Sequence, residues 1–358
     1  MKPLTIAFLH NVRHVYPDPD DPRSQLEVDF DDPITIKWMI RHFKSCGYRV
    51  IPIEADDKAY LTLASKRKQI DLAFNYSEGI TGRDREAQLP AMLEMLQIPY
   101  LGCRPLAAAL VLDKAMTKRV LQSHGIATPE FQVIDPANPK EKCRLPFPLM
   151  VKPLNEGSSA GINNKSLVHN AKELKQQLEF VFDTFNQPAM LERFLSGREF
   201  SVPMIGNPPE ILPFIESRHS LLPKHLAPID SLEVKWFYEE QAGTNHLVCP
   251  ASISKTLRAK IEKLCRGAWD ALYLRDWCRM DIRCDEKENT YFLEVNVPAG
   301  LLPPEVSLTS YMPLSARQAG LDYEALLNKL VRTAAGRYGI SLGRISKLSR
   351  NQKRGLRL

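Results

Sequence analysis

The feature that most constrains this 358-residue chain is the alternation of short apolar runs with amphipathic stretches over its first hundred residues. Residues 4–9, 49–53 and 72–75 read as strands, since each is a brief apolar or β-branched run bounded by polar residues. Residues 34–46, 60–68 and 86–96 carry helical spacing between them, and the series closes at residues 98–102. Such alternation predicts an α/β fold with a parallel sheet covered by helices on both faces. Ligands of open sheets of this kind sit beyond the carboxyl ends of the strands.

The later chain continues as α/β. Residues 113–125 form a helical stretch with Lys114, Lys118 and Arg119, followed by a Pro/Asn-rich connector at 135–139. Strands are expected at 146–151 and 189–195, and more follow from residue 201. Residues 217–248 read as one long loop holding Pro223, Pro228, Lys235 and Trp236, and connections of that length in compact domains act as lids or binding segments. A helix at 255–272, a strand pair at 278–296 and a helix at 323–338 complete the pattern.

Apolar residues at 44% and charged residues at 25% describe a globular chain rather than a disordered or fibrous one. No run approaches eighteen apolar residues, so no membrane span is expected, and the short apolar run at the N-terminus lacks a cleavage signal. A cytoplasmic protein is expected. Seven cysteines without a Cys-x-x-Cys spacing suit reduced thiols rather than a disulfide framework or zinc. The net charge of +6 is concentrated in residues 341–358, which hold Arg344, Lys347, Arg350, Lys353, Arg354 and Arg357 and no acid. Without interleaved aromatics this reads as a solvated or helical tail, and no nucleic-acid partner is expected.

The strand pair carries the first chemistry. Period-two alternation puts Arg279 and Asp281 on one face of its first strand, and Glu294 and Asn296 on one face of the second. Carboxylates and an amide suit a hard cation such as Mg2+ together with nucleotide phosphates. A solvated hairpin face is the other reading. Upstream, Gly157-Ser158-Ser159-Ala160-Gly161 follows a strand and offers backbone N–H groups and two hydroxyls, as a loop over phosphates requires. A plain hairpin turn would look similar, but Lys152 stands at the strand end just before it.

In order along the chain, Leu112-Asp-Lys-Ala-Met-Thr-Lys118, Val151-Lys-Pro-Leu-Asn-Glu-Gly-Ser-Ser-Ala-Gly161, Leu191-Glu-Arg-Phe-Leu-Ser-Gly-Arg-Glu-Phe200, Arg279-Met-Asp281, Leu293-Glu-Val-Asn296 and Ala316-Arg-Gln-Ala-Gly320 resemble an ATP-grasp ligase of the D-alanine–D-alanine ligase type. The resemblance covers residues 70 to 335. It implies a three-domain ATP-grasp fold: a Rossmann-like N-terminal domain at 1–103, a central subdomain at 104–191, a catalytic domain at 192–338 and a basic tail at 339–358. It implies that ATP phosphates meet Lys114, Lys152, Ser158 and Ser159, that Glu192, Arg193, Phe194 and Leu195 face the adenine, and that Glu199 accepts the ribose hydroxyls. Asp281, Glu294 and Asn296 would hold two Mg2+ ions, for which Mn2+ could substitute. Arg279, Lys235 and Ser158 would act at the reacting centre, with Glu78, Gly300 and Ser310 at the amino-acid substrates. The implied reaction is phosphorylation of an amino acid's carboxylate and attack by a second amine, in a homodimeric enzyme.

The chain departs from that family where amino acids would bind. The family's Gly-Gly-x-Ser-x-Glu loop after the first strand is absent, the family's His-Gly and Gly-Glu-Asp-Gly segment reads Asn75-Tyr-Ser-Glu-Gly-Ile-Thr-Gly-Arg-Asp-Arg-Glu-Ala-Gln88, and the lid's Lys-Tyr pair is Lys235-Trp236. Val297-Pro-Ala-Gly300 replaces Thr-x-Pro-Gly before a longer segment, so the acceptor serine is Ser307 or Ser310. A ligase joining other amino acids, or an amino acid to a small metabolite, is therefore an open alternative. A nucleotide-binding scaffold without catalysis is another.

Overall fold

Strand β1 (Thr5–His10) is buried along its whole length, as a strand covered on both faces must be. It pairs in parallel with β2 (Arg49–Glu54) and β3 (Leu72–Asn75), and β3 pairs with β4 (Tyr100–Leu101), giving the order β2-β1-β3-β4. The structure, a computed structural model, describes residues 3–18, 21–239, 241 and 243–342. From residue 343 onward, the expected basic tail lies outside the described residues.

Alternation along β1 sorts its side chains between two helical layers. Ile6 and Phe8 share a core with Ile36, Met39 and Phe43 of α1 (Pro33–Ser45) and with Leu326 and Leu330 of the C-terminal helix. Ala7 and Leu9 face α2 (Ala59–Lys66) and α3 (Gln88–Met95) through Leu63, Leu89 and Leu93. Helix α1 starts where Asp32 accepts a 2.8 Å bond from the Ile34 N–H, with Pro33 in the first turn, so an otherwise orphaned donor is satisfied.

Next come α4 (Pro105–Leu112) and α5 (Lys114–Ser123), with Asp113 capping α5 through the Met116 N–H. An antiparallel sheet of order β5-β8-β6-β7 follows, built from β5 (Phe131–Ile134), β6 (Leu149–Pro153), β7 (Leu167–Val168) and β8 (Ala189–Arg193). Helix α6 (Ala171–Phe185) covers it through Leu174 and Val181.

The last sheet runs β12-β11-β9-β13-β14 with β10 added on β9. Its strands are β9 (Glu199–Gly206), β10 (Pro209–Ile211), β11 (Ile215–Ser217), β12 (Leu247–Val248), β13 (Trp277–Cys284) and β14 (Thr290–Asn296). Under it lie α7 (Lys255–Ala271) and, from earlier in the chain, α4 and α5, whose Ala107, Val111 and Leu121 join Leu257, Ile261 and Cys265 in one core. Helices α8 (Tyr311–Gln318) and α9 (Tyr323–Arg337) lead back to the first sheet.

Five of these elements are additions to the expected pattern: helices α4, α6 and α8 and the short strands β5 and β7. The segment expected as one long loop, 217–248, also contains a 3-10 turn at His219–Leu221, a π-helical turn at Glu233–Tyr238 and strand β12. All seven cysteines are free thiols, and no helix among the described residues is long and apolar enough to cross a membrane.

Candidate active site

Three sheets bring their ends to one cavity. Glu78, Lys114, Ser158, Lys235, Arg279, Glu294, Asn296, Gly300 and Ser310 all line it. The loops at the carboxyl ends of β1 and β3 form one side, where the Asn11 side chain ties them together by accepting from the Glu78 N–H at 2.9 Å and donating to the Gly79 carbonyl at 2.9 Å.

The strand pair sets the central register. β13 and β14 are antiparallel, with Arg279 opposite Asn296 and Asp281 opposite Glu294, and a bulge follows Asp281. Arg279 Nη2 lies 2.9 Å from Asp281 Oδ2, Asn296 Nδ2 donates to the same oxygen at 3.3 Å, and Ser201 donates to Oδ1 at 2.6 Å. Lys114 Nζ stands 3.6 Å from Glu294. Burial opposes ionisation of Glu294, yet Lys114, Lys152, Lys235 and Arg279 pull its carboxyl down to about 2. It is therefore a ready anionic oxygen donor at neutral pH.

Those donors fit magnesium. Glu294 and Asn296 line the cavity while Asp281 stands behind them, its oxygens held by Arg279, Asn296 and Ser201. Two carboxylates and one amide offer hard oxygen ligands, and Mg2+ is commonly held by one or two carboxylates, with water and nucleotide phosphates filling the remaining positions. No group of three or more His, Cys, Asp or Glu side chains among the described residues forms a ready cage, as expected for an ion that arrives with phosphate.

Lys152 and Glu192 lie outside the cavity lining, in a buried ionic cluster behind it. Glu192 is flanked by Lys118 Nζ at 2.5 Å and Lys152 Nζ at 2.8 Å. Lys118 also donates to the Phe292 and Leu293 carbonyls at 3.2 and 2.9 Å, which joins α5 to β14. The sequence alone does not mark Lys118 as a site residue, although its spacing of four from Lys114 places both on one helix face. Arg193, Phe194 and Leu195 follow on the same strand end. Arg193 lies 5.6 Å over the Tyr291 ring and the Phe194 N–H donates to the Pro148 carbonyl at 3.2 Å. Glu199 is also outside the lining: its Oε2 takes a 2.7 Å bond from Arg283, which stands directly opposite on β13.

The serine loop and the lid meet. Ser158 and Ser159 both adopt left-handed backbone, with φ of 44° and 63°, a conformation that costs a non-glycine residue energy and clusters at ligand clamps. A Cβ at Gly157 beside them would stand 2.8 Å from Asp29 Oδ1, so a side chain there would have to push the Asp29 carboxylate aside. Trp236 on the lid donates its indole N–H to the Ser158 carbonyl at 3.3 Å, and Ser159 Oγ donates to the Asp230 carbonyl at 2.8 Å. The Tyr311 ring lies between two cations, 5.6 Å from Lys235 Nζ and 5.0 Å from Arg279 Cζ, while its hydroxyl donates to Asp230 at 3.2 Å. Neither Tyr311 nor Asp230 stood out in the sequence, since their contacts exist only once the lid has folded back.

A parallel sheet, two further α/β units each built on an antiparallel sheet and a cavity bearing lysines, strand carboxylates and a serine loop together define an ATP-grasp enzyme, an ATP-dependent ligase that forms a C–N bond. The model of the family described as D-ala D-ala ligase C-terminus matches residues 120–332. The chain belongs to the D-alanine–D-alanine ligase family. A D-alanine–D-alanine ligase of Pelotomaculum thermopropionicum is 33% identical over 288 residues, covering 77% of this chain and 83% of that protein. The uncharacterized protein y4sG of Sinorhizobium fredii is 31% identical over 331 residues, covering 90% of this chain and 92% of its own length. The crystal structure of D-alanine–D-alanine ligase from Bacillus anthracis complexed with ATP shares the fold, with a TM-score of 0.69 over 94% of this chain and 99% of that one at 22% identity.

Proposed function

We propose that the protein activates the carboxylate of one amino acid as an acyl phosphate and lets the amine of a second molecule displace the phosphate, giving an amide, ADP and phosphate. The observation that carries this reading is the convergence of Lys114, Lys235 and Arg279 on one cavity with the Glu294 and Asn296 oxygens. Cations on several sides of one small volume stabilise the charge that develops during phosphoryl transfer. Holding both reactants there supplies much of the remaining advantage.

In this reading Lys114 and Lys152, with Ser158 and Ser159, hold the nucleotide phosphates. Glu192, Arg193, Phe194 and Leu195 lie along the adenine, and the Glu199 oxygen that Arg283 leaves free accepts the ribose. Asp281, Glu294 and Asn296 hold magnesium, two ions in the full complex, and manganese could take their place. Magnesium would neutralise the phosphate oxygens. Arg279 and Lys235 meet the transferred phosphoryl group, and Ser158 sits over the reacting carboxylate. Glu78 receives the first amino acid's ammonium, and Gly300 and Ser310 receive the second substrate. We also propose a homodimer acting in the cytoplasm, where the free thiols would stay reduced.

D-alanine, named for the relatives, is the first substrate to test. Other amino acids form the second reading, favoured by the loops that replace the family's usual segments after β1 and β3. Purified protein with ATP and magnesium should release ADP only when both a carboxylate donor and an amine are supplied, and the product mass should equal their sum less one water. ATP hydrolysis unaffected by every amino acid across D- and L-pairs would overturn the ligase reading.

A further inference from the structure

The side of the cavity built by the loops after β1 and β3 holds more carboxyl groups than one amino-acid ammonium requires. Asp29, Asp31, Glu78, Glu86 and Glu156 all line it. Arg85 answers two of them, its Nη2 lying 3.1 Å from Asp29 and 3.1 Å from Glu156. Arg13 directs its guanidinium to the Glu27, Val28 and Phe30 carbonyls and stacks 4.5 Å from the Trp236 ring, and Lys114 acts on Glu86 and Glu156 without an ion pair to either.

That leaves Asp31, Glu78 and Glu86. Among the described residues none of their carboxylates accepts a hydrogen bond or forms an ion pair, and one Glu86 oxygen is fully covered with no partner. Asp31 is only 8% exposed, and its exposure is toward the cavity it lines. Burial outweighs the pull of Arg13 on Asp31 and of Arg85 and Lys114 on Glu86 and pushes these two carboxyls up to about 7 and about 8, and it raises Glu78 well above its ordinary value. Covered carboxyl groups without donors are costly, and polar groups left unsatisfied beside a cavity call for a ligand that completes them.

A metal ion does not answer this wall, since no three of these carboxylates converge closely enough to hold one. Carboxylates that surround a cavity without converging suit an organic cation whose charge is spread over separate N–H groups. Glu78 suffices for an α-ammonium, so with a neutral substrate side chain Asp31 would have only the distant charge of Arg13, and Glu86 only those of Arg85 and Lys114, with no partner in contact. Resting on the ligase reading above, we propose that the amino acid held between the loops after β1 and β3 carries a second cationic group on its side chain, an ammonium or guanidinium, received by Asp31 and Glu86 beside Glu78. The substrate class is therefore basic or diamino acids.

Arginine against citrulline, and lysine against norleucine, each in both hands, isolate the side-chain charge at nearly constant shape. Binding to the full-length protein loaded with ADP and magnesium is measured by calorimetry, and turnover by ADP release. The cationic member should bind and turn over at least about tenfold better, the discrimination expected from one charged hydrogen bond. In Asp31→Asn and in Glu86→Gln that ratio should fall toward one, read as a ratio within each variant. Equal binding of cationic and neutral members by the unaltered protein, or a preference that survives in both variants, would overturn the proposal. Binding preference without turnover by any pair would instead overturn the ligase reading and leave the proposed recognition standing.

Discussion

Glu192 is 2% exposed and stands between two ammonium groups, Lys118 at 2.5 Å and Lys152 at 2.8 Å. Burial works against its ionisation, but the two lysines hold its carboxyl below the usual range, while Lys118 is itself lowered by burial. The cluster therefore depends on one negative charge. Glu192→Gln removes that charge without changing the shape and leaves two buried cations with only the more distant Glu294, and for Lys152 also Glu199, to answer them. Breaking a buried pair in this way costs about 3–5 kcal/mol, so urea denaturation should show a midpoint well below that of the unaltered protein. A variant with an unchanged midpoint and slope would show that water reaches the cluster and that the charges are not buried in solution.

At the level of elements, the lid from β11 to β12 meets the serine loop through two bonds, the Trp236 indole N–H to the Ser158 carbonyl and the Ser159 hydroxyl to the Asp230 carbonyl, and only the first is made by a lid side chain. Trp236→Phe keeps most of the ring that packs against Arg13 but deletes this donor. A half-exposed bond of this kind sits at the low end of about 0.5–1.5 kcal/mol, so the KM for nucleotide should rise roughly two- to threefold, with kcat less affected. An unchanged KM would mean that the lid is held by its other contacts, such as the Ser159 bond to Asp230. The same scale shows what could be read from sequence. β1 and β3 were legible because strands buried on both faces are unbroken apolar runs, and the Arg279, Asp281, Glu294 and Asn296 quartet because alternation and a short turn determine its faces. Helix α4 escaped because Pro105–Leu112 is apolar nearly all round and shows no amphipathic period. The π-helical turn bearing Lys235 escaped because its fold depends on Asp230, His219 and Tyr311 closing around it. Lys118 and the acidic wall escaped for a related reason: Lys118 meets a carbonyl 174 residues away, and Asp31 and Glu86 come from loops of different strands. Local pattern carries no record of such pairings.

Across the whole molecule, the first and last parts of the chain share one core, since Ile6, Phe8 and Phe74 pack with Trp277, Leu301, Leu326 and Leu330. Disturbing the seam between them should therefore register in the unfolding of the main body. His42 of α1 sits on that seam, its Nδ1 2.7 Å from Glu324 on α9 and its Nε2 3.0 Å from Glu305, which lies in the segment between Gly300 and Ser310 of the cavity. Burial opposes protonation of His42, but the two glutamates outweigh it and raise the group above its ordinary 6.5. With the folded value above the unfolded one, the clamp's contribution is complete below about pH 6.5 and is lost as pH rises through the folded value. The melting temperature should therefore decline over that window by an amount that His42→Gln abolishes, roughly 1–2 °C for about 1 kcal/mol in a chain of this size. His42→Gln should also lower the melting temperature more at pH 6 than at pH 8.5. Equal losses at both values would show that His42 acts by packing against Tyr323, whose ring lies 4.7 Å away, and not through its charge.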